Sequence, residues 1–311
     1  MIEIKPFNQE KLFNLDKYFN EFIKLYDKGV YPNKILLSGQ KGLGKSTLAY
    51  HFINYVLSKD EDNTNYVKEK FQINPESPTF KTIINKSNPN LIVIDINPDK
   101  KSIEIQQVRD LINELNKSSF NSKPRFVLID NIEFLNKNSI NALLKILEEP
   151  NKNINFLLIN NNKKILSTLL SRCINFKISL TSDECLKIIE KILGHELKNL
   201  INEDLINYYT TPGQIYYLLK FANANKLNLV ELDLKKLLKI IIKDSHYKKD
   251  LFIKYMVFDL IELYFRKLNF SFSKTINQKY SYFLKRISDT KTFNLDDETL
   301  FADFDEEILN G

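Results

Sequence analysis

Ile35-Leu36-Leu37-Ser38-Gly39-Gln40-Lys41-Gly42-Leu43-Gly44-Lys45-Ser46 is a short apolar run followed by the pattern G-x-x-x-x-G-K-S. The run reads as a strand buried on both faces, and a helix is expected to begin near Lys45. Glycines in that order let the backbone curl until consecutive N–H groups point inward at phosphate oxygens. The helix N-terminus adds a favourable field for the same anion. Gly39, Gln40, Lys41, Gly42, Leu43, Gly44, Lys45, Ser46 and Thr47 are therefore the candidate nucleotide-binding residues. Lys45 is expected to reach the β- and γ-phosphates and Ser46 to hold Mg²⁺. ATP or ADP with Mg²⁺ is the expected ligand.

Outward from this loop the same kind of run recurs. Leu91–Ile94, Phe126–Ile129 and Phe156–Ile159 are short and continuous, and Ile174, Phe176, Ile178 and Leu180 suggest one more strand by alternation. Between them lie helical stripes. Ile105, Val108, Leu111, Ile112 and Leu115 follow a possible cap at Ser102, and Ile140, Leu143, Leu144 and Leu147 are stopped by Pro150. Strand–helix alternation predicts a doubly wound α/β domain with a parallel sheet over residues 1–178. The polar stretch Lys59–Asn90 reads as an irregular insertion. After Leu180 the strand signals end. A small helical unit is expected over 179–222, with Thr181 or Ser182 opening a helix and Pro212-Gly213 interrupting the pattern. An all-α domain is expected over 223–311, with a long helical stretch from Leu234 to Leu268. Leu300, Phe301, Phe304 and Ile308 make its acidic end a docked helix.

Composition narrows the classes. A chain of 311 residues that is 43% hydrophobic and 27% charged is an ordinary globular protein of two or three domains. No stretch approaches 18 consecutive apolar residues, so no membrane-spanning helix is expected. The start lacks a signal-peptide layout. Cys173 and Cys185 cannot form a disulfide framework, and with His51, His195 and His246 they make no zinc site, so a reducing cytoplasm fits best. The net charge of +6 permits a polyanionic partner without establishing one. Only five of the 45 basic residues are arginine (Arg109, Arg125, Arg172, Arg266 and Arg286). Each is thus more apt to sit where a planar fork matters.

A phosphate loop of this type needs a carboxylate at another strand end to support the metal shell, and Asp130 supplies it. Many ATP-hydrolysing enzymes place a glutamate next; here the residue is Asn131, whose amide cannot take a proton at neutral pH. Glu133 is two positions on, and Asp130, Asn131 and Glu133 are not expected to point the same way from one strand end. Binding is supported and hydrolysis is not. Asn160 and Asn161, ending the strand beside the loop, are candidate sensors of the γ-phosphate.

Asn141-Ala142-Leu143-Leu144-Lys145-Ile146-Leu147-Glu148-Glu149-Pro150, Ser171-Arg172-Cys173 and Ser102-Ile103-Glu104-Ile105-Gln106-Gln107-Val108-Arg109 together resemble bacterial clamp-loader subunits. With the phosphate loop and Asp130 in order, the resemblance covers roughly residues 1–215. It implies an AAA+ module, a small helical lid and a C-terminal helical domain that joins a pentameric collar. Arg172 would then be an arginine finger acting in trans on a neighbour's nucleotide. The delta-prime class fits best, because the gamma/tau motors carry Asp-Glu where this chain has Asp130-Asn131. The motors also place an arginine near Thr211-Pro212-Gly213-Gln214-Ile215, and this chain has none there. The zinc module common in such subunits is not expected, since Lys59–Asn90 holds no cysteine.

The implied partners are gamma/tau and delta subunits in a hetero-pentamer, and through it the sliding clamp and primer–template DNA. A self-sufficient gamma/tau-like motor and a stand-alone DNA-binding ATPase are the alternatives. Glu148 and Glu149 read as helix-end contacts at an interface, and Cys173 as a small buried residue.

Overall fold

The computed structural model describes residues 4–97, 100, 102–118, 120–148, 153–207, 210–248, 251–268, 274–293 and 295–310. The chain divides into two compact units. One is Met1–Ile188 with Thr211–Gly213, and the other is Ile189–Thr210 with Gln214–Gly311.

In the first unit, β1 (Lys34–Ser38), β2 (Leu91–Ile94), β3 (Arg125–Ile129), β4 (Ile154–Asn160) and β5 (Ile174–Lys177) form a sheet of order β2-β3-β4-β1-β5. Every pairing is parallel. Successive side chains of a strand alternate faces, and here both faces are apolar. Ile35, Leu37, Phe126, Leu128, Leu157 and Ile159 pack on one side, under α1 (Asp16–Asp27), α2 (Lys45–Leu57) and α3 (Pro78–Ile84). Leu36, Val127, Ile129, Phe156 and Leu158 pack on the other, under α4 (Ile105–Leu115) and α5 (Lys137–Glu148). That two-sided burial is why the strands read as continuous apolar runs. A short α6 (Ser167–Leu170) precedes β5, and α7 (Ser182–Leu193) follows it.

Two local expectations change. The N-cap of α4 is Glu104 rather than Ser102, and the Glu104 N–H donates to Gln107 Oε1 at 3.0 Å. Ser102 stands too far upstream, because Ile103 is extended and its N–H is taken by Phe134 O at 2.9 Å. The Lys59–Asn90 insertion is not irregular throughout, since it contains α3. The Glu61 carboxylate accepts from Ser77 Oγ (2.6 Å), the Thr79 N–H (2.9 Å) and Thr79 Oγ1 (2.5 Å), which ties the start of that helix down. Glu149 and Pro150, the expected end of α5, lie outside the described residues. The buried Arg125 guanidinium donates to the carbonyls of Glu114 (2.8 Å), Leu115 (3.2 Å) and Lys117 (3.2 Å), closing the C-terminal end of α4.

The second unit is helical. It contains most of α8 (Pro212–Ala224), then α9 (Leu234–Lys243), α10 (Leu251–Leu268), α11 (Lys274–Phe293) and α12 (Asp297–Phe304). The long stretch expected from Leu234 to Leu268 is two helices with a 3₁₀ turn, His246–Lys248, between them. Asp233 caps α9 through the Lys236 N–H at 2.8 Å. Phe265, Phe283 and Phe304 are buried against one another with ring centroids 5.4–5.7 Å apart, so these aromatics form core. Leu300 and Phe301 are fully buried, which docks the acidic α12 as expected. Among the described residues no helix is long and apolar enough to cross a membrane.

Candidate functional site

Because the strands run parallel, their carboxyl ends share one edge, where open α/β sheets hold ligands. Read across that edge, Asp95 follows β2, Asp130 follows β3, Asn160 ends β4 and Gly39 follows β1. The Gly39 N–H donates to Asn160 O at 3.3 Å, so β4 and the phosphate loop meet directly.

The loop is curled by positive φ at Gly39, Gly42 and Gly44, and α2 begins at Lys45. Lys45 is buried and donates Nζ–H to Gly39 O (2.9 Å) and Gln40 O (2.6 Å). Burial pulls its ammonium down to about 8, against the attraction of Asp130 and Glu133. Asp130 is pushed up to about 6, by burial first and then by the neighbouring Asp95 charge; a hydrogen bond from Ser46 opposes the rise. The two residues expected to support the metal, Ser46 and Asp130, thus lie near each other.

An acid whose folded pKa is raised stabilises the native state while it is protonated. That contribution is complete below the unfolded value near 4 and is lost as pH rises through about 6. Two units correspond to about 3 kcal/mol. Asp130→Asn should therefore gain about 2–3 kcal/mol relative to wild type between pH 4 and pH 7 in urea unfolding. A pH-independent difference would contradict the raised carboxyl.

Asn131 takes a left-handed conformation (φ +54°), and the 3₁₀ turn Ile132–Phe134 follows at once. This reverses an expectation from the sequence, because the turn brings Glu133 back to the same cluster. Asn161 Nδ2–H donates to both Asn131 Oδ1 (2.9 Å) and Glu133 Oε1 (3.1 Å), and Asn131 Nδ2–H donates to Asp95 Oδ1 (2.7 Å). Of the two candidate sensors, Asn161 thus joins the Asp130 loop. Asn160 closes its own turn, giving Nδ2–H to Lys163 O at 2.9 Å and accepting the Lys163 N–H at 3.2 Å. Asp95 was not among the candidates, although Leu91–Ile94 followed by an aspartate repeats the pattern of Phe126–Ile129 followed by Asp130.

Thr211 and Gly213 lie on the loop itself, in the segment that groups with the first unit. The buried Thr211 donates Oγ1–H to Lys41 O at 2.8 Å, and the Gly213 N–H donates to Gly42 O at 3.0 Å. The approach requires glycine on both sides. A Cβ at Gly42, where φ is +88°, would lie 2.4 Å from Thr211 Oγ1, and one at Gly213 would lie 2.6 Å from Gly42 Cα. Gly213→Ala should cost about 1–3 kcal/mol, since backbone meets backbone and neither side can fold away. An unchanged urea midpoint would show that the two backbones are not in contact.

Arg172 lies elsewhere. Ile174 pairs with Ile35, so the arginine stands at the amino end of β5, whereas the phosphate loop leaves the carboxyl end of β1 beyond Ser38. Four residues of strand separate those levels by about 13 Å. Arg172 donates Nη1–H to Thr168 O at 2.7 Å and Nη2–H to Glu148 Oε1. Cys173 beside it has its thiol pushed up to about 11 by burial, which fits a packing residue better than a reactive one.

Comparisons with known proteins bear on this arrangement. The family model described as DNA polymerase III, delta subunit, matches residues 15–182. DNA polymerase III subunit gamma of Buchnera aphidicola subsp. Acyrthosiphon pisum is 31% identical over 200 residues, covering 63% of this chain and 50% of the relative. DNA polymerase III subunit delta' of Buchnera aphidicola subsp. Schizaphis graminum is 28% identical over 202 residues, covering 63% and 56%. The chain thus spans about half the length of these two relatives. The delta' subunit of Buchnera aphidicola subsp. Acyrthosiphon pisum is 26% identical over 269 residues, covering 81% and 78%. Among solved structures, a gamma-subunit-related protein of Thermotoga maritima matches with a TM-score of 0.44 and 16% identity, covering 91% of this chain and 96% of that one.

Proposed function

The chain belongs to the DNA polymerase III delta-subunit family, and from that premise we propose that it serves a clamp loader as a delta-prime-type subunit. It binds ATP or ADP, turns it over negligibly, and lends Arg172 to the nucleotide of a neighbour. Its companions are gamma/tau and delta subunits in a hetero-pentamer, which places the sliding clamp on primer–template DNA. Its first domain (1–178) carries the nucleotide, 179–222 acts as the lid, and 223–311 enters the collar.

The observation that carries the reading is the asymmetry of the site. The phosphate loop Gly39–Thr47 keeps every residue it needs, while the position after Asp130 holds an amide. That amide is tied to Asp95 and Asn161 rather than free to activate water. The residues fit a nucleotide on their own geometry: Lys45 is a buried cation inside a curled loop, and Ser46 lies near enough to Asp130 to oppose the rise of its pKa. Lys45 would hold the β- and γ-phosphates, and Ser46 and Asp130 the Mg²⁺, whose charge offsets that of the phosphates. Asn161 would sense the γ-phosphate through its link to Asn131.

A gamma/tau-like motor is the second reading. It draws support from the 31% identity to a gamma subunit and from Glu133, which the turn at Asn131 returns to the cluster. One experiment separates the two. The purified chain should bind ATP with Mg²⁺ in calorimetry and show no steady-state hydrolysis above background. Robust turnover by the pure chain would overturn the static-ligand reading in favour of the motor.

A further inference from the structure

Arg172 is held at two points without being buried. Its side chain is 31% exposed, and its anchors come from different elements: the Thr168 carbonyl of α6 and the carboxylate of Glu148, the last residue of α5. A guanidinium carries five N–H donors. The described residues take two of them, one on each terminal nitrogen. One N–H on Nη1, one on Nη2 and the Nε–H are left by the described residues for a further acceptor. Glu148 engages through a single oxygen. A bidentate clamp would consume the fork that phosphate recognition needs; this one-point contact fixes the group and spares it.

Stability is a poor explanation for the pair. Glu148 is 56% exposed, and exposed ion pairs of this kind contribute little to folding. What the contact does supply is order. An arginine side chain has many rotamers, and two anchors on separate elements restrict it before any neighbour arrives. Three large apolar residues near it in sequence, Leu166, Leu170 and Ile174, are themselves exposed, so the anchors restrain an arginine set among exposed apolar side chains.

We infer that Glu148 is a positioning residue for Arg172, fixing the guanidinium in cis so that its three unspent donors meet a neighbour's phosphate in trans. This rests on the reading of Arg172 as a group lent to another subunit.

The test is a double-mutant cycle in the reconstituted loader complex, with DNA-stimulated ATP hydrolysis as the readout. Glu148→Ala should lower kcat at the site it serves by about tenfold, as misplacement of a reacting group does. KM for ATP, assembly and the urea midpoint of the chain should be unchanged. Glu148→Gln should recover most of the rate, since its amide oxygen can accept the same hydrogen bond. In an Arg172→Ala background, Glu148→Ala should change nothing further. An equal additional loss in that background would overturn the inference, and so would a Glu148→Ala complex that is faster than wild type, which would mean that Glu148 restrains the arginine. A silent Glu148→Ala beside a damaging Arg172→Ala removes the positioning role alone. A silent Arg172→Ala removes the reading of Arg172 and the inference with it.

Discussion

Replacing Arg172 by alanine is expected to cut clamp- and DNA-stimulated ATP hydrolysis by the assembled complex while leaving assembly and this chain's own nucleotide binding intact. The register of β1 and β5 puts Arg172 at the opposite end of the sheet from Gly39–Ser46. It therefore cannot serve its own phosphates, yet it stands half-exposed with three donors that the described residues do not take. An arginine supplied in trans can be worth about 10³–10⁵ in rate at a single site, because it meets charge that spreads over phosphate oxygens as the bond breaks. In the multi-site loader proposed above, the total loss would be smaller, because only the site that Arg172 faces is affected. Arg172→Lys should rescue poorly, because an ammonium keeps the charge and loses the fork. Complexes that carry Arg172→Ala and load clamps at wild-type rates would make the residue a purely structural one, holding the Thr168 carbonyl and Glu148.

Lys45→Ala is expected to abolish nucleotide binding without unfolding the chain. The lysine is buried inside the loop and bonded to the Gly39 and Gln40 carbonyls. Its role toward a ligand is a charged contact with two phosphates, and each charge-assisted hydrogen bond is worth about 1.5–3 kcal/mol. Losing them should weaken binding by at least about 100-fold. Stability moves the other way or not at all, because burial already penalises the ammonium, as its lowered pKa of about 8 records. A calorimetric titration checks the first half and urea unfolding the second. Retained affinity would mean that nucleotide does not sit in Gly39–Thr47.

These expectations draw on features that were unequally legible in the chain. The strands were readable because helices cover both faces of the sheet, which leaves no polar positions in Ile35–Leu37 or Phe126–Ile129 to blur them. The phosphate loop was readable because its glycine spacing is local. Less visible was anything set by a single backbone angle. Asn131 at φ +54° swings Glu133 back to Asn161, and no residue pattern announces that turn. Contacts between distant residues were hidden for another reason. Glu61 anchors Thr79 across 18 positions and so starts a helix in a polar stretch that reads as irregular. Glu148 reaches Arg172 across 24, although each drew notice separately as part of a motif. The break between α9 and α10 escaped because both helices are rich in large apolar residues, and the intervening turn at His246–Lys248 carries no glycine or proline. Thr211-Pro212-Gly213 was noted for lacking an arginine; that Gly213 is needed for close approach to Gly42 emerges only from the packing.

Whether the chain works as one subunit of a loader rather than as an enzyme alone is read directly from the company it keeps in the cell. The chain, expressed with an affinity tag in its own cell, is purified gently and its companions are identified and counted by native mass spectrometry. A five-subunit assembly that contains one copy of this chain together with gamma/tau- and delta-type subunits is expected. A chain recovered alone, or only as copies of itself, at concentrations where the other loader subunits do assemble, would contradict it.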